Sequence, residues 1–118
     1  MDAFKTWFPN ITSAQQIKRV TNYRGLYEFK ESMPWPIWPR QLLCEATGVF
    51  EEENLAVLTV LRSVPLQEEI FGHTFEKVES GHVELLLRKG YHYFEYIDDE
   101  TTKYVMIFNS DPQLGLVP

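Results

Sequence analysis

A chain of 118 residues, 44% of them hydrophobic, carries enough apolar material for one modest core in one domain spanning residues 1–118. Its acidic excess, a formal net charge of −6, excludes the basic face that nucleic-acid binding requires and disfavours simple electrostatic adhesion to anionic membranes. A single cysteine, Cys44, rules out an intramolecular disulfide, and no apolar run has the length of a membrane span or the pattern of a signal peptide, so a cytoplasmic protein is expected.

Residues 2–8 read as the last turns of a helix stopped by Pro9, with Phe4, Trp7 and Phe8 on one face. Thr12 and Ser13 offer caps for a second helix, Ser13 forming a capping box with Gln16, and Ile17 and Val20 mark its buried side until Gly25. From Leu26 the pattern turns to β. Leu26-Tyr27-Glu28-Phe29-Lys30 alternates and runs into Pro34-Trp35-Pro36-Ile37-Trp38-Pro39-Arg40, where closely spaced prolines fix φ, remove N–H donors and build a rigid corner.

Beyond the corner, Leu42, Cys44, Ala46 and Gly48 share one face of a strand whose other face carries Gln41, Glu45 and Thr47. Small side chains on an inward face leave room for large neighbours or for a ligand. Glu51-Glu52-Glu53-Asn54 reads as a solvated turn, and Leu55 to Leu61, apolar on both faces, as a central strand. Ser63 to Gly72 reads as a loop or short helix. Thr74–Glu79, Val83–Leu87, Tyr91–Ile97 and Thr102–Phe108 then form an antiparallel meander, broken at Ser80-Gly81, Lys89-Gly90 and Asp98-Asp99-Glu100.

The proline corner with its arginine, preceded by Trp7-Phe8-Pro9 and followed far downstream by Asn109-Ser110-Asp111-Pro112-Gln113-Leu114-Gly115-Leu116-Val117-Pro118, resembles the START (StAR-related lipid-transfer) family. In that family the first motif reads Pro-(Trp or Phe)-Pro with Arg-Asp after it, and the last reads Asp-Pro-x-Gly-x-(Ile or Val)-Pro. The resemblance covers nearly all of this chain but only part of the family's domain. It implies an α+β, helix-grip-like fold: short N-terminal helices and a curved antiparallel sheet, here ending where the family's long C-terminal helix begins. It also implies non-catalytic carriage of a lipid such as a phospholipid, sphingolipid or sterol, with transient membrane contact. The corner looks closest to phosphatidylcholine-transfer members. The alternative is a shortened START-derived interaction or scaffold subunit whose open sheet face is covered by a partner or a second copy, because an uncovered apolar face is poorly tolerated in water.

Carried onto this sequence residue by residue, the resemblance points to Glu28 as the acid on the strand before the corner. Arg40 becomes the first member of an Arg-Asp pair whose second position is here Gln41, with an anchoring role at the corner or a pairing with Glu28 or Glu31. The arginine that meets the acid in sterol-binding members has no counterpart here, since its place falls on or next to Ala46, which argues against a sterol. Trp35, Trp38, Tyr91, Tyr93, Tyr96 and Tyr104 are available for an aromatic cage around a choline head group, or for core packing. Tyr104, Met106 and Phe108 share a face and, with Leu42, Cys44 and Ala46, form tunnel wall or plain core. Cys44, in an apolar pattern without a nearby histidine, reads as an inert thiol. His73, His82 and His92 lack metal-ligand spacing, and Asp111 reads as a turn residue that accepts backbone N–H groups. No residue pattern calls for catalysis, a metal or a cofactor.

Overall fold

Long runs of β-branched and aromatic residues set most of the described chain, residues 10–111 and 113 of a computed structural model, into strands. These are β1 (Ile11–Thr21), β2 (Arg24–Glu31), β3 (Arg40–Glu51), β4 (Ala56–Ser63), β5 (Glu69–Ile70), β6 (His73–Thr74), β7 (Val83–Glu84), β8 (Leu86–Asp98) and β9 (Thr101–Asp111). The main sheet is curved, runs in the order β1-β2-β3-β4-β8-β9 and is antiparallel throughout, except that the short β7 adds to β3 in parallel. The strand expected over Leu55–Leu61 is β4, interior to the sheet between β3 and β8.

Among the described residues there is no helix, so the helical part of the expected α+β class is absent there. The helix expected after Ser13 is instead β1. Its Ile11, Thr12, Ile17, Val20 and Thr21 are β-branched, and β1 pairs with β2 through Ala14↔Phe29 and Lys18↔Leu26. Three register shifts break the strand's alternation and let Ile17 reach a core, which is why its apolar spacing looked helical. The turn that follows is closed by Tyr23 N–H on Thr21 Oγ1 at 3.1 Å and by Arg19 on Asn22 Oδ1 at 2.5 Å. The helix expected over residues 2–8 lies outside the described residues.

Two further boundaries differ. Lys89-Gly90 does not end a strand, because β8 runs straight through it; and of Thr74–Glu79 only Thr74 pairs, in the small hairpin of β5 and β6. The acidic turn after β3 is exposed, with Asn54 Nδ2 donating to Glu51 Oε1 at 2.8 Å, and the turn before β9 is closed by Glu100 N–H on Asp98 Oδ1 at 2.9 Å.

The segment between β4 and β8 folds back over one side of β2 and β3. Val64, Leu66, Ile70, Phe71, Phe75 and Val78 pack there on Leu26, Leu43 and Ile17. Backbone bonds from Val64 to Leu43 O (2.9 Å), Val83 to Pro39 O (3.0 Å) and Leu85 to Gln41 O (2.9 Å) pin it in place. Beneath it lies an ion-pair group: the buried Glu45 accepts from Arg62 Nη2 at 2.8 Å and meets Arg24 Nε at 3.4 Å. One face of the sheet is therefore covered at β2 and β3, and the opposite face is open.

Candidate ligand-binding face

Period-two alternation sends Tyr27 and Phe29 of β2, Leu42, Cys44 and Ala46 of β3 and Leu61 of β4 to the open face. Cys44, Leu61 and Leu87 are buried there as a floor, with Tyr27, Phe29, Leu42 and Ala46 packed around them. Burial, together with the neighbouring Glu45 charge, pushes the Cys44 thiol up to about 12, so it remains protonated and unreactive.

Register carries the same face across β8 and β9. Leu61 lies opposite Gly90, Gly90 opposite Phe108, His92 opposite Met106 and Phe94 opposite Tyr104. The rings form one continuous group: Phe94 stacks on Tyr104 at 4.7 Å, His92 on Tyr104 at 5.8 Å, and Phe108 meets His92 edge-on at 5.2 Å. Gly90 makes this possible, since a β-carbon there would stand 2.4 Å from Phe108 Cε1. Phe94, Tyr104, Met106 and Phe108 nevertheless remain 41%, 40%, 47% and 46% exposed, an apolar patch continuous with the buried floor.

A hydrogen-bonded polar pair is set into this patch. His92, buried, shares a hydrogen bond of 2.5 Å between its Nδ1 and Tyr104 Oη. Burial lowers the pKa of His92 and raises that of Tyr104, so at neutral pH the pair is uncharged. An uncharged phenol–imidazole pair can exchange hydrogen bonds with hydroxyl, ester or amide groups without bringing a naked charge into an apolar site.

At the end of the face, two of the three motifs that carried the family resemblance meet; the third, Trp7-Phe8-Pro9, lies outside the described residues. Arg40 is 1% exposed; its Nη1 donates to Trp38 O at 2.5 Å and its Nη2 to Gln113 O at 3.1 Å. Gln113 in turn donates through Nε2 to Glu84 O at 2.8 Å and through its backbone N–H to Asp111 Oδ1 at 2.9 Å, which is the turn role expected of that aspartate. The guanidinium thus ties the proline corner to the strand-end loop.

Of the ten residues expected at a ligand site, Leu42, Cys44, Ala46, Tyr104, Met106 and Phe108 share the open face. Glu28 does not: it lies opposite Leu43, on the covered side, 3.6 Å from Lys30, which also pairs with Glu79. Tyr93 lies opposite Leu58 and Val105, and its Oη donates to Glu95 at 2.9 Å. With Tyr91 it belongs to a groove on the far side of the sheet, lined also by Leu58, Lys103, Val105 and Ile107. The expected tyrosine cage is therefore not assembled, because odd and even positions of β8 point to opposite faces. Trp35 sits outside both faces at 93% exposure. His92 and Phe94 are the site residues that sequence reasoning missed; only strand pairing brings them beside Tyr104.

Among the described residues no cluster of three or more His, Cys, Asp or Glu side chains is arranged to hold a metal ion, and no helix is long and apolar enough to cross a membrane. No protein-family model matches the chain, and no curated protein matches its sequence. Solved structures do resemble it. Human STARD10 superposes with a TM-score of 0.79 at 13% identity, over 98% of this chain and 44% of that one. Human StAR-related lipid transfer protein 5 gives 0.78 at 17% identity, over 98% and 52%. The human StarD13 (DLC2) lipid transfer and protein localization domain gives 0.72 at 13%, over 91% and 50%. The chain spans about half the length of these structures, and over that span it has the fold of the StAR-related lipid-transfer domains.

Proposed function

We propose that this chain binds a lipid against its open face and carries it without chemical change. The observation that supports this most directly is the mainly apolar surface from Cys44 to Phe108, with the uncharged His92–Tyr104 pair set into it, on a sheet of the StAR-related fold. Affinity would come from apolar area removed from water, at about 25 cal/mol per Å². Selectivity would come from His92 and Tyr104, which suit the hydroxyl or amide of a sphingolipid or the ester of a phospholipid. A phosphatidylcholine preference rests on the proline corner alone, since Tyr91 and Tyr93 face away from Tyr104. Arg40 serves as the anchor of the corner, and Trp35, held out by that corner, is the side chain that touches the membrane during loading.

The same exposure of Phe94, Tyr104, Met106 and Phe108 supports a second reading, an interaction subunit whose open face is covered by a protein partner. Native mass spectrometry and uptake of fluorescent phospholipid, ceramide and sterol separate the two. Lipid binding predicts a retained mass in the lipid range, uptake lost in Phe94→Asp, and a changed order of preference in His92→Phe. A chain that purifies without lipid and takes up none of the three probes excludes lipid binding. Contact through Trp35 predicts a blue-shifted emission on adding zwitterionic vesicles, absent in Trp35→Ala.

A further inference from the structure

Strand register sets Gly48 of β3, Thr59 of β4, His92 of β8 and Met106 of β9 side by side in one row across the open face. The middle two are polar. Directly opposite residues on neighbouring strands hold their β-carbons about 4.5–5.5 Å apart, so the Thr59 hydroxyl stands one strand away from the hydrogen-bonded His92–Tyr104 pair. Thr59 is half-buried between Val57 and Leu61, its same-face neighbours along β4, where valine would continue the apolar column with no polar atom to satisfy. Nearby hydroxyls are committed to the fold: Thr47 Oγ1 accepts from Arg24 Nε at 3.2 Å, and Ser63 Oγ donates to Leu85 O at 3.4 Å and accepts from Leu87 N–H at 2.7 Å. Among the described residues the Thr59 hydroxyl has no such partner. Gly48 leaves space beside it, since its backbone is not left-handed and a β-carbon there would meet nothing nearer than Tyr23 O at 3.8 Å.

We infer that Thr59 is a specificity-determining residue of the lipid site: with the head group seated over Gly48, its hydroxyl and the His92–Tyr104 pair together select a lipid bearing neighbouring hydroxyl and amide groups, the ceramide class. This rests on the lipid-binding reading above and deepens it. Hydroxyl and amide N–H groups donate while hydroxyl and carbonyl oxygens accept, so such a head engages two polar points on adjacent strands at once. A sterol brings one hydroxyl to two points and leaves one of them desolvated without a partner. The ester oxygens of a phospholipid only accept, and this row, uncharged at neutral pH, offers its phosphate no counter-charge.

Competitive uptake of fluorescent ceramide, phosphatidylcholine and sterol by the 118-residue chain tests this. The wild type should take ceramide in preference to the other two. Thr59→Val should weaken ceramide binding about tenfold, the loss expected when one hydrogen-bond partner is removed and the other stays buried, and should leave the other two probes unchanged. Thr59→Ser, which keeps the hydroxyl, should retain ceramide binding, and Gly48→Val, which fills the adjoining space, should weaken it. Far-UV circular dichroism identifies the variants that keep the fold. Ceramide binding equal in Thr59→Val and wild type, or lost equally in Thr59→Ser and Thr59→Val, overturns the role of the hydroxyl. A folded Gly48→Val that binds ceramide like wild type overturns the seating of the head over β3. Preference for phosphatidylcholine or sterol overturns the head-group class while lipid binding stands, whereas uptake of none of the three overturns lipid binding itself and this inference with it.

Discussion

Replacing Gly90 by alanine should destabilise the protein chiefly through one neighbour, Phe108. The added β-carbon would lie 2.4 and 2.6 Å from Phe108 Cε1 and Cδ1 and 3.1 Å from Leu87 Cδ2, against an ordinary contact of 3.4–4 Å. The ring is half-exposed and can swing outward, but doing so gives up its edge-on contact with His92, worth about 0.5–1.5 kcal/mol, together with part of its burial. Overpacking of this kind typically costs about 1–3 kcal/mol, while alanine regains roughly 0.5–1 kcal/mol over glycine in a strand. The net expectation is a loss of about 1–2 kcal/mol. In a Phe108→Ala background the main obstacle is gone and only the 3.1 Å contact with Leu87 Cδ2 remains, so the same substitution should lose most of its cost. Urea unfolding of the two single variants and the double variant, at one protein concentration, measures this coupling directly. An equal cost of Gly90→Ala in both backgrounds would refute the argument that the glycine exists to admit the ring.

Arg40→Met keeps the bulk of the buried side chain but leaves Trp38 O and Gln113 O without their charged donor, so urea unfolding should show a loss of about 2–4 kcal/mol, with Arg40→Lys intermediate. A loss below about 0.5 kcal/mol in Arg40→Met would mean that the corner and the strand-end loop hold together without the guanidinium. His92 supplies a pH test. Burial lowers its folded pKa below the unfolded value of about 6.5, so on acidification the unfolded chain takes up the proton first. The stability this group contributes is thus complete above that value and declines as the pH falls through it. Unfolding measured from neutral to mildly acidic pH should therefore show a shallower decline in His92→Gln than in wild type, and parallel curves would exclude the buried neutral imidazole as the cause.

What the residues determined on their own was mostly local. Alternation is written into Leu26–Lys30, turn chemistry into Glu51–Asn54, Asp98–Glu100 and Asp111, and stiffness into the prolines at 34, 36 and 39, because each depends only on neighbours along the chain. The order of the three motifs was likewise enough to suggest the fold. Tertiary pairing decided the rest. Ser13–Val20 satisfies a helical spacing and a bulged strand equally well, and the ladder with β2 settled it. Gly90 has the look of a turn until Phe108 is laid across it from the next strand. His92 acquires a role only from Tyr104, and Arg40 only from Gln113, 73 residues away, because a buried polar group is defined by a partner that strand register, not sequence proximity, supplies.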